Sequence, residues 1–358
     1  ETQYLSNDRI RNIDRWILDS IIELDLTDKI HLSAEYNRAS DNNYFKEVAY
    51  KNINTSSLKS HAKLSFNDGG SNLRAHLLKE HVQILLATPG YVRDLESYIS
   101  KGFAWPEKRQ SINVDVVSTK FEHKTAGKES GTRTHGDIAF KRTHKFVEPD
   151  DIYPELPIIT TNANVGYTYY DLNNNANITR NIAGAGFDLA YPLKNQGNLF
   201  NTKVSHLLIP KISYKYRGKK VQGDIPIFDT DDNYDNIITF DELIHNERYT
   251  GLDRISNAND FTYSIEYGTR KINAKKLDPD LLNIKVAQTY YEDHEVVSDQ
   301  PNTTFEPRGG YSNIAASINL AINKFAFSTS ASIDPDNYSI VNKQNTISIS
   351  ISIFILYS

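Results

Sequence analysis

The residues best able to do chemistry lie between Asp224 and Arg270. Arg248, Asp253 and Arg254 set one carboxylate between two guanidiniums, with Tyr249 and Gly251 interleaved. Such a cluster admits two readings. In a buried loop the charges must be paired, and the pairing then fixes the loop's shape for a partner or a passing ligand. On an exposed rim the same pair is worth only about 0–1 kcal/mol. Gly251 supplies a backbone angle that other residues resist. Asp229 and the Asn257-Ala-Asn259 run frame the cluster.

Other constellations are weaker. Asp229, Asp231, Asn233 and Asp235 begin like a calcium loop. That loop needs Gly at its sixth position and Glu at its twelfth, where this chain has Tyr234 and Phe240, so a solvated acidic loop is the better reading. His76 and His81 have the wrong spacing for one helix face, and neither a His-Glu-x-x-His nor a Gly-x-Ser-x-Gly motif occurs. Ala183-Gly-Ala-Gly186 lacks the phosphate-loop lysine. The expectation is no catalytic site, no metal and no cofactor.

The elements that must position these residues follow from patterning. Ile212-Ser-Tyr-Lys-Tyr216 and Phe261 to Arg270 read as strands flanking a loop far longer than a turn needs. Ile30 to Tyr36, Lys59 to Phe66, Ser111 to Val116, Asn162 to Tyr169, Ala185 to Tyr191, Ile314 to Leu320, Phe325 to Ser332 and Thr346 to Ile353 alternate with period two. Arg11 to Leu26 and Leu73 to Leu86 leave helix and strand both open. Glu148 to Pro157 is a proline-rich loop, and Lys203 to Tyr216 is one long strand or two. The 358 residues carry a net charge of −5, which gives no support for nucleic-acid binding. No cysteine is present, so neither a disulfide framework nor a thiolate metal site exists in this chain. Apolar runs fall short of the roughly 18 residues a membrane helix needs, whereas a membrane barrel needs only alternating strands of about ten residues. The fold class expected is all-β, an antiparallel transmembrane β-barrel. At about 20–25 residues per strand and loop it would hold roughly 14–16 strands. The chain begins at Glu1 and has no methionine, so it reads as a fragment or a processed chain.

Three segments carry a family resemblance. Asp224, Pro226, Phe228 and Asp229 precede Arg248, Tyr249, Gly251, Asp253, Arg254 and Ile255, then Asn257, Ala258 and Asn259, with Arg270 closing the next strand. Val286-Ala-Gln-Thr-Tyr-Tyr291 follows. Upstream, Asp14-Arg-Trp16 precedes Ser40, Asp41, Tyr44 and Phe45. In this order the segments resemble the lipopolysaccharide-assembly outer-membrane family, LptD.

The resemblance implies that residues 1–358 are the central part of a C-terminal barrel of about 26 strands. The family's N-terminal periplasmic jellyroll, its terminal strands and its disulfide-forming cysteines would then lie outside the chain. It implies delivery of lipopolysaccharide to the outer leaflet of the outer membrane of a Gram-negative bacterium, driven by an ATPase elsewhere. The implied partners are an LptE-like lipoprotein plug, lipopolysaccharide, outer-membrane lipids, and periplasmic bridge proteins that meet the missing domain. Alternatives are a diffusion porin or receptor barrel, an outer-membrane hydrolase and a soluble β-sandwich adhesin. A porin does not explain the 248–259 motif, and a hydrolase needs a nucleophile–base spacing that is absent.

Overall fold

The computed structural model describes residues 2–48, 57–85, 90–123, 125, 127–145, 156–199, 202–230, 239–245, 249–272, 281–292, 310–322 and 325–349. In chain order the elements are β1 (Thr2–Leu5), β2 (Arg15–Asp25), β3 (Ile30–Ala39), the short helix α1 (Tyr44–Glu47), β4 (Ser57–Asp68), β5 (Leu73–Ile84), β6 (Val92–Trp105), β7 (Gln110–Glu122), β8 (Gly131–Lys145), β9 (Ile158–Leu172), β10 (Ile178–Ala190), β11 (Leu193–Leu199) and β12 (Thr202–Arg217). They continue with helix α2 (Phe240–His245), β13 (Ala258–Lys271), β14 (Leu282–Tyr291), β15 (Gly310–Tyr311), β16 (Ile314–Ile322), β17 (Phe325–Ile333) and β18 (Ile340–Ile349). The fold is all-β and antiparallel, as the alternation predicts. The described residues form 18 strands, more than the 14–16 expected. The excess comes from short strands that alternation cannot register, β1 and β15, and from β11, which follows Pro192. Both ambiguous stretches are strands, and Thr202–Arg217 is one strand. The Glu148–Pro157 loop lies largely outside the described residues, as does the end of the Thr346–Ile353 run.

The chain divides into two compact units, residues 1–106, 111–140 and 164–182, and residues 107–110, 141–163 and 183–358. In the first, neighbouring strands pair in sequence order from β1 to β6. Two of their turns are side-chain-locked. Thr27 Oγ1 accepts the amides of Lys29 and Ile30 at 3.2 and 3.0 Å, and Ser71 Oγ donates to Asp68 at 2.8 Å. Cross-strand register puts Leu24, Leu32, Leu64 and Leu77 in one row on one face. Leu64 and Leu77 are exposed there, while Glu80, on the opposite face of β5, is buried.

The second unit shows the same inversion. Tyr263, Ile265 and Val286 face outward and exposed, while Thr262, Ser264 and Thr289 on the opposite face are buried. Thr262 and Thr289 hydroxyls meet at 2.8 Å. A water-soluble sheet buries its apolar face. Here large apolar side chains lie open and the polar face is covered, which is the pattern of a barrel wall in lipid. Helix α2 covers part of the polar face. It starts with a reciprocal cap, in which Thr239 Oγ1 accepts the Glu242 amide at 3.2 Å and Glu242 accepts the Thr239 amide at 2.6 Å. Phe240 and Leu243 then pack on Ala287 and Ala315. Small residues at those two strand positions let the helix sit close to the sheet. Lys285 Nζ lies 5.0 Å from the centre of the Phe240 ring. No described helix is long and apolar enough to cross a membrane.

Candidate functional site

Strands β12 and β13 pair along their whole length, from Val204 opposite Lys271 to Arg217 opposite Ala258. The long excursion between them therefore leaves and re-enters the sheet at one edge of the ladder. Among its described residues, 218–230 and 249–257 fold onto each other through side chains that copy a β-ladder. The Gln222 amide clamps Ile255, donating to its carbonyl at 2.7 Å and accepting its N–H at 3.1 Å. Thr230 Oγ1 accepts the amides of Asp253 and Arg254 at 3.0 and 3.2 Å. Asp253 Oδ2 accepts the amides of Phe228 and Asp229 at 2.7 and 2.9 Å. Asp229 Oδ1 in turn accepts the Leu252 amide at 3.3 Å.

Burial decides between the two readings of this cluster. Asp253 is fully buried and Arg254 nearly so, with Tyr249, Ser256, Asn257 and Asp260 buried beside them. This is no exposed rim pair. Asp253 acts as a backbone acceptor, joining the two limbs of the excursion, and Arg254 Nη1 donates to the Asp253 carbonyl at 3.1 Å. Gly251 has φ +67°, and a Cβ there would overlap the Asp229 carbonyl. At the base, Tyr214 donates to Asn259 Oδ1 at 2.9 Å and Arg217 to the Ser256 carbonyl at 3.3 Å. Arg248 lies outside the described residues, as do Asp231, Asn233 and Asp235. Sequence reasoning missed Gln222 and Thr230, because a single amide or hydroxyl that stands in for a ladder rung has no signature in composition or spacing.

The second motif builds a corner in the other unit. Arg15 opens β2 with its side chain fully buried. Its guanidinium donates to Asp41 through Nε and Nη2, both at 2.9 Å, and its Nη1 donates to Glu47 at 2.8 Å and Asp8 at 3.2 Å. Ser40 Oγ and the Asn43 amide also donate to Asp41, each at 2.9 Å. Tyr44 is buried with its ring 5.7 Å below the Arg15 guanidinium, and its ring meets Phe45 edge-on. Arg11 adds a second donor to Glu47 at 2.6 Å. Burial pushes the Asp41 carboxyl up, but Arg15, Ser40 and the Asn43 amide outweigh it and hold it below its ordinary 3.8. Arg15 organises Ser40, Asp41, Tyr44 and Phe45. The Asp14-Arg-Trp16 signature pointed to the segment but not to its partners, which lie far along the chain.

Among the described residues, neither place joins a nucleophile to a base. No cluster of three or more metal-binding side chains occurs among the described residues. Both arrangements hold backbone in a fixed shape.

A model of the family described as "LptD: LPS transport system D" matches residues 14–350. The chain is similar to the LPS-assembly protein LptD of Azoarcus sp. (strain BH72), 23% identical over 337 residues, covering 83% of this chain and 37% of that protein. It is similar to that of Vibrio cholerae serotype O1, 24% identical over 321 residues, covering 84% of this chain and 38% of that protein. To that of Francisella tularensis subsp. holarctica (strain OSU18) it is 32% identical over 180 residues, 46% of this chain and 18% of that protein. The chain thus spans less than two-fifths of the length of these relatives. With the family pattern running through nearly its whole length, the chain belongs to the LptD family.

Proposed function

We propose that this chain is barrel wall from a protein that delivers lipopolysaccharide to the outer leaflet of the outer membrane. The observation that carries the reading is the family match over residues 14–350 on a sheet whose apolar face is open and whose polar face is covered. The apolar face meets membrane lipid, and the polar face lines the route of the sugar headgroup. Residues 1–358 form part of the barrel domain, and a periplasmic jellyroll lies elsewhere in the full-length protein. The loop built on Asp229, Tyr249, Gly251, Asp253, Arg254, Asn257 and Asn259, with Arg248, docks an LptE-like lipoprotein plug. The corner of Ser40, Asp41, Tyr44 and Phe45 holds the start of β2 and the loop after β3 in shape. The role is transport, with no bond made or broken in the lipid.

The test is depletion of the full-length protein in its own cell, with newly made lipopolysaccharide followed to the surface. Surface arrival should stop while other barrel proteins still insert. Undiminished arrival after depletion overturns the reading.

A further inference from the structure

The outward face of the second unit is not smooth. A groove of about 480 Å³ crosses it, walled by Leu189, Tyr191, Pro210, Ile212, Ile265 and Val286. Its origin lies in the backbone. Ala190 pairs with Lys211 and Leu193 with Leu208, so β10 and β11 run along β12 as one strand broken at Tyr191 and Pro192. The Tyr191 amide donates to the Pro210 carbonyl at 3.0 Å. Pro210 has no N–H to return, so the rung is half made.

We propose that this groove seats one acyl chain of a membrane glycerophospholipid. The inference rests on the outer-membrane reading above. The groove is continuous with the lipid-facing surface, where Tyr263 and Ile318 are also open. Its volume is within the range of about 300–1,000 Å³ found for small-molecule sites, which are mostly apolar with few polar groups. Charge selects the occupant. Lys211 is the only ionisable cation among the lining residues, and its Nζ is engaged 3.2 Å from Asp188. A lipid with clustered phosphates finds no free cation among the lining residues, whereas a single hydrocarbon chain needs none. Gln288 also lines the groove, with its amide donating to the Ser312 carbonyl at 3.1 Å.

The experiment uses the full-length protein in nanodiscs of phosphatidylethanolamine with an alkyne-tagged acyl chain. A benzophenone amino acid replaces Tyr263 in the groove wall or Ile318 on the same face outside it. Lipid adducts should form several-fold more often at 263 than at 318. Val286→Trp and Ile212→Trp narrow the groove from two walls, and either should bring the yield at 263 down to that at 318. Equal yields at the two positions overturn the proposal, and this comparison needs neither narrowing variant. Yield unmoved by narrowing in a folded variant, adducts to protein in place of lipid, or clearance by lipopolysaccharide but not by phospholipid would also overturn it. Lipopolysaccharide delivery is not read in this assay, so its failure leaves the transport reading standing.

Discussion

Arg15 holds Asp41 with two parallel hydrogen bonds of 2.9 Å each, joining the start of β2 to the loop after β3. The fork geometry matches a carboxylate bidentately, which a lysine cannot do. Arg15→Lys should therefore destabilise the corner nearly as much as Arg15→Ala. Loss of one partner from a buried pair costs about 3–5 kcal/mol. A lower denaturant midpoint for the folded barrel in both variants is expected. A lysine variant with the wild-type midpoint would show that charge alone suffices.

The same corner should weaken in acid. Asp41 and Glu47 both lie below their ordinary values of 3.8 and 4.5, Glu47 chiefly through Arg11. A carboxyl with a depressed folded pKa binds fewer protons in the native state than in the unfolded one. Its contribution is complete above the ordinary value and is lost as the pH falls through the folded one. Protection of the Ser40–Val48 amides, relative to their intrinsic exchange at each pH, should hold above pH 4.5 and fall below it. Asp41→Asn should flatten that profile, and a profile unchanged in the variant would remove Asp41 from the cause.

Asp253→Ala leaves the buried amide of Phe228 and the partly buried amide of Asp229 without this acceptor. Each buried donor left unsatisfied costs about 1–3 kcal/mol. The excursion should loosen, with poor co-purification of the plug and an outer membrane leaky to large antibiotics. Asp253→Asn should be milder, because the amide oxygen still accepts. Retained plug and a tight membrane in the alanine variant would reduce the loop to decoration.

Gly251→Val should be as harmful as Asp253→Ala by a different route. At φ +67° a β-branched residue is strained, and its Cβ meets the Asp229 carbonyl. Backbone strain of this kind costs about 1–3 kcal/mol. Protease cleavage within residues 218–257 is the readout. Cleavage no faster than in the wild type would mean that the loop shifts without cost.

Ala287→Leu tests the seat of α2. Leu243 and Phe240 press on Ala287, which is 1% exposed. Overpacking costs about 1–3 kcal/mol, and α2 should lift while the sheet persists. Faster exchange at Phe240–Ile244 with unchanged exchange in β13 and β14 is expected. Equal loss in both would place Ala287 in the folding of the sheet itself.

The sequence by itself determined the sheet. Period-two alternation in runs such as Phe325–Ser332 and Ile314–Leu320 forces side chains to alternate faces, and that local rule needs no tertiary partner. It also carried the family motifs, because those residues sit at readable spacings around Gly251 and Asp41. Strand number escaped it, since β1 and β15 are too short for a period and β11 is a largely polar run after Pro192; all three owe their state to their neighbours' ladders. Which face lies open escaped it too, because alternation is symmetric until something covers one side. Here α2 and the polar rows of Thr262, Ser264 and Thr289 make that choice. The role of Asp253 was beyond it as well. Its carboxylate accepts the amides of Phe228 and Asp229, more than twenty residues away, and no spacing announces them. Hydrogen bonds to backbone depend on where the chain returns in space, and only the folded chain decides that.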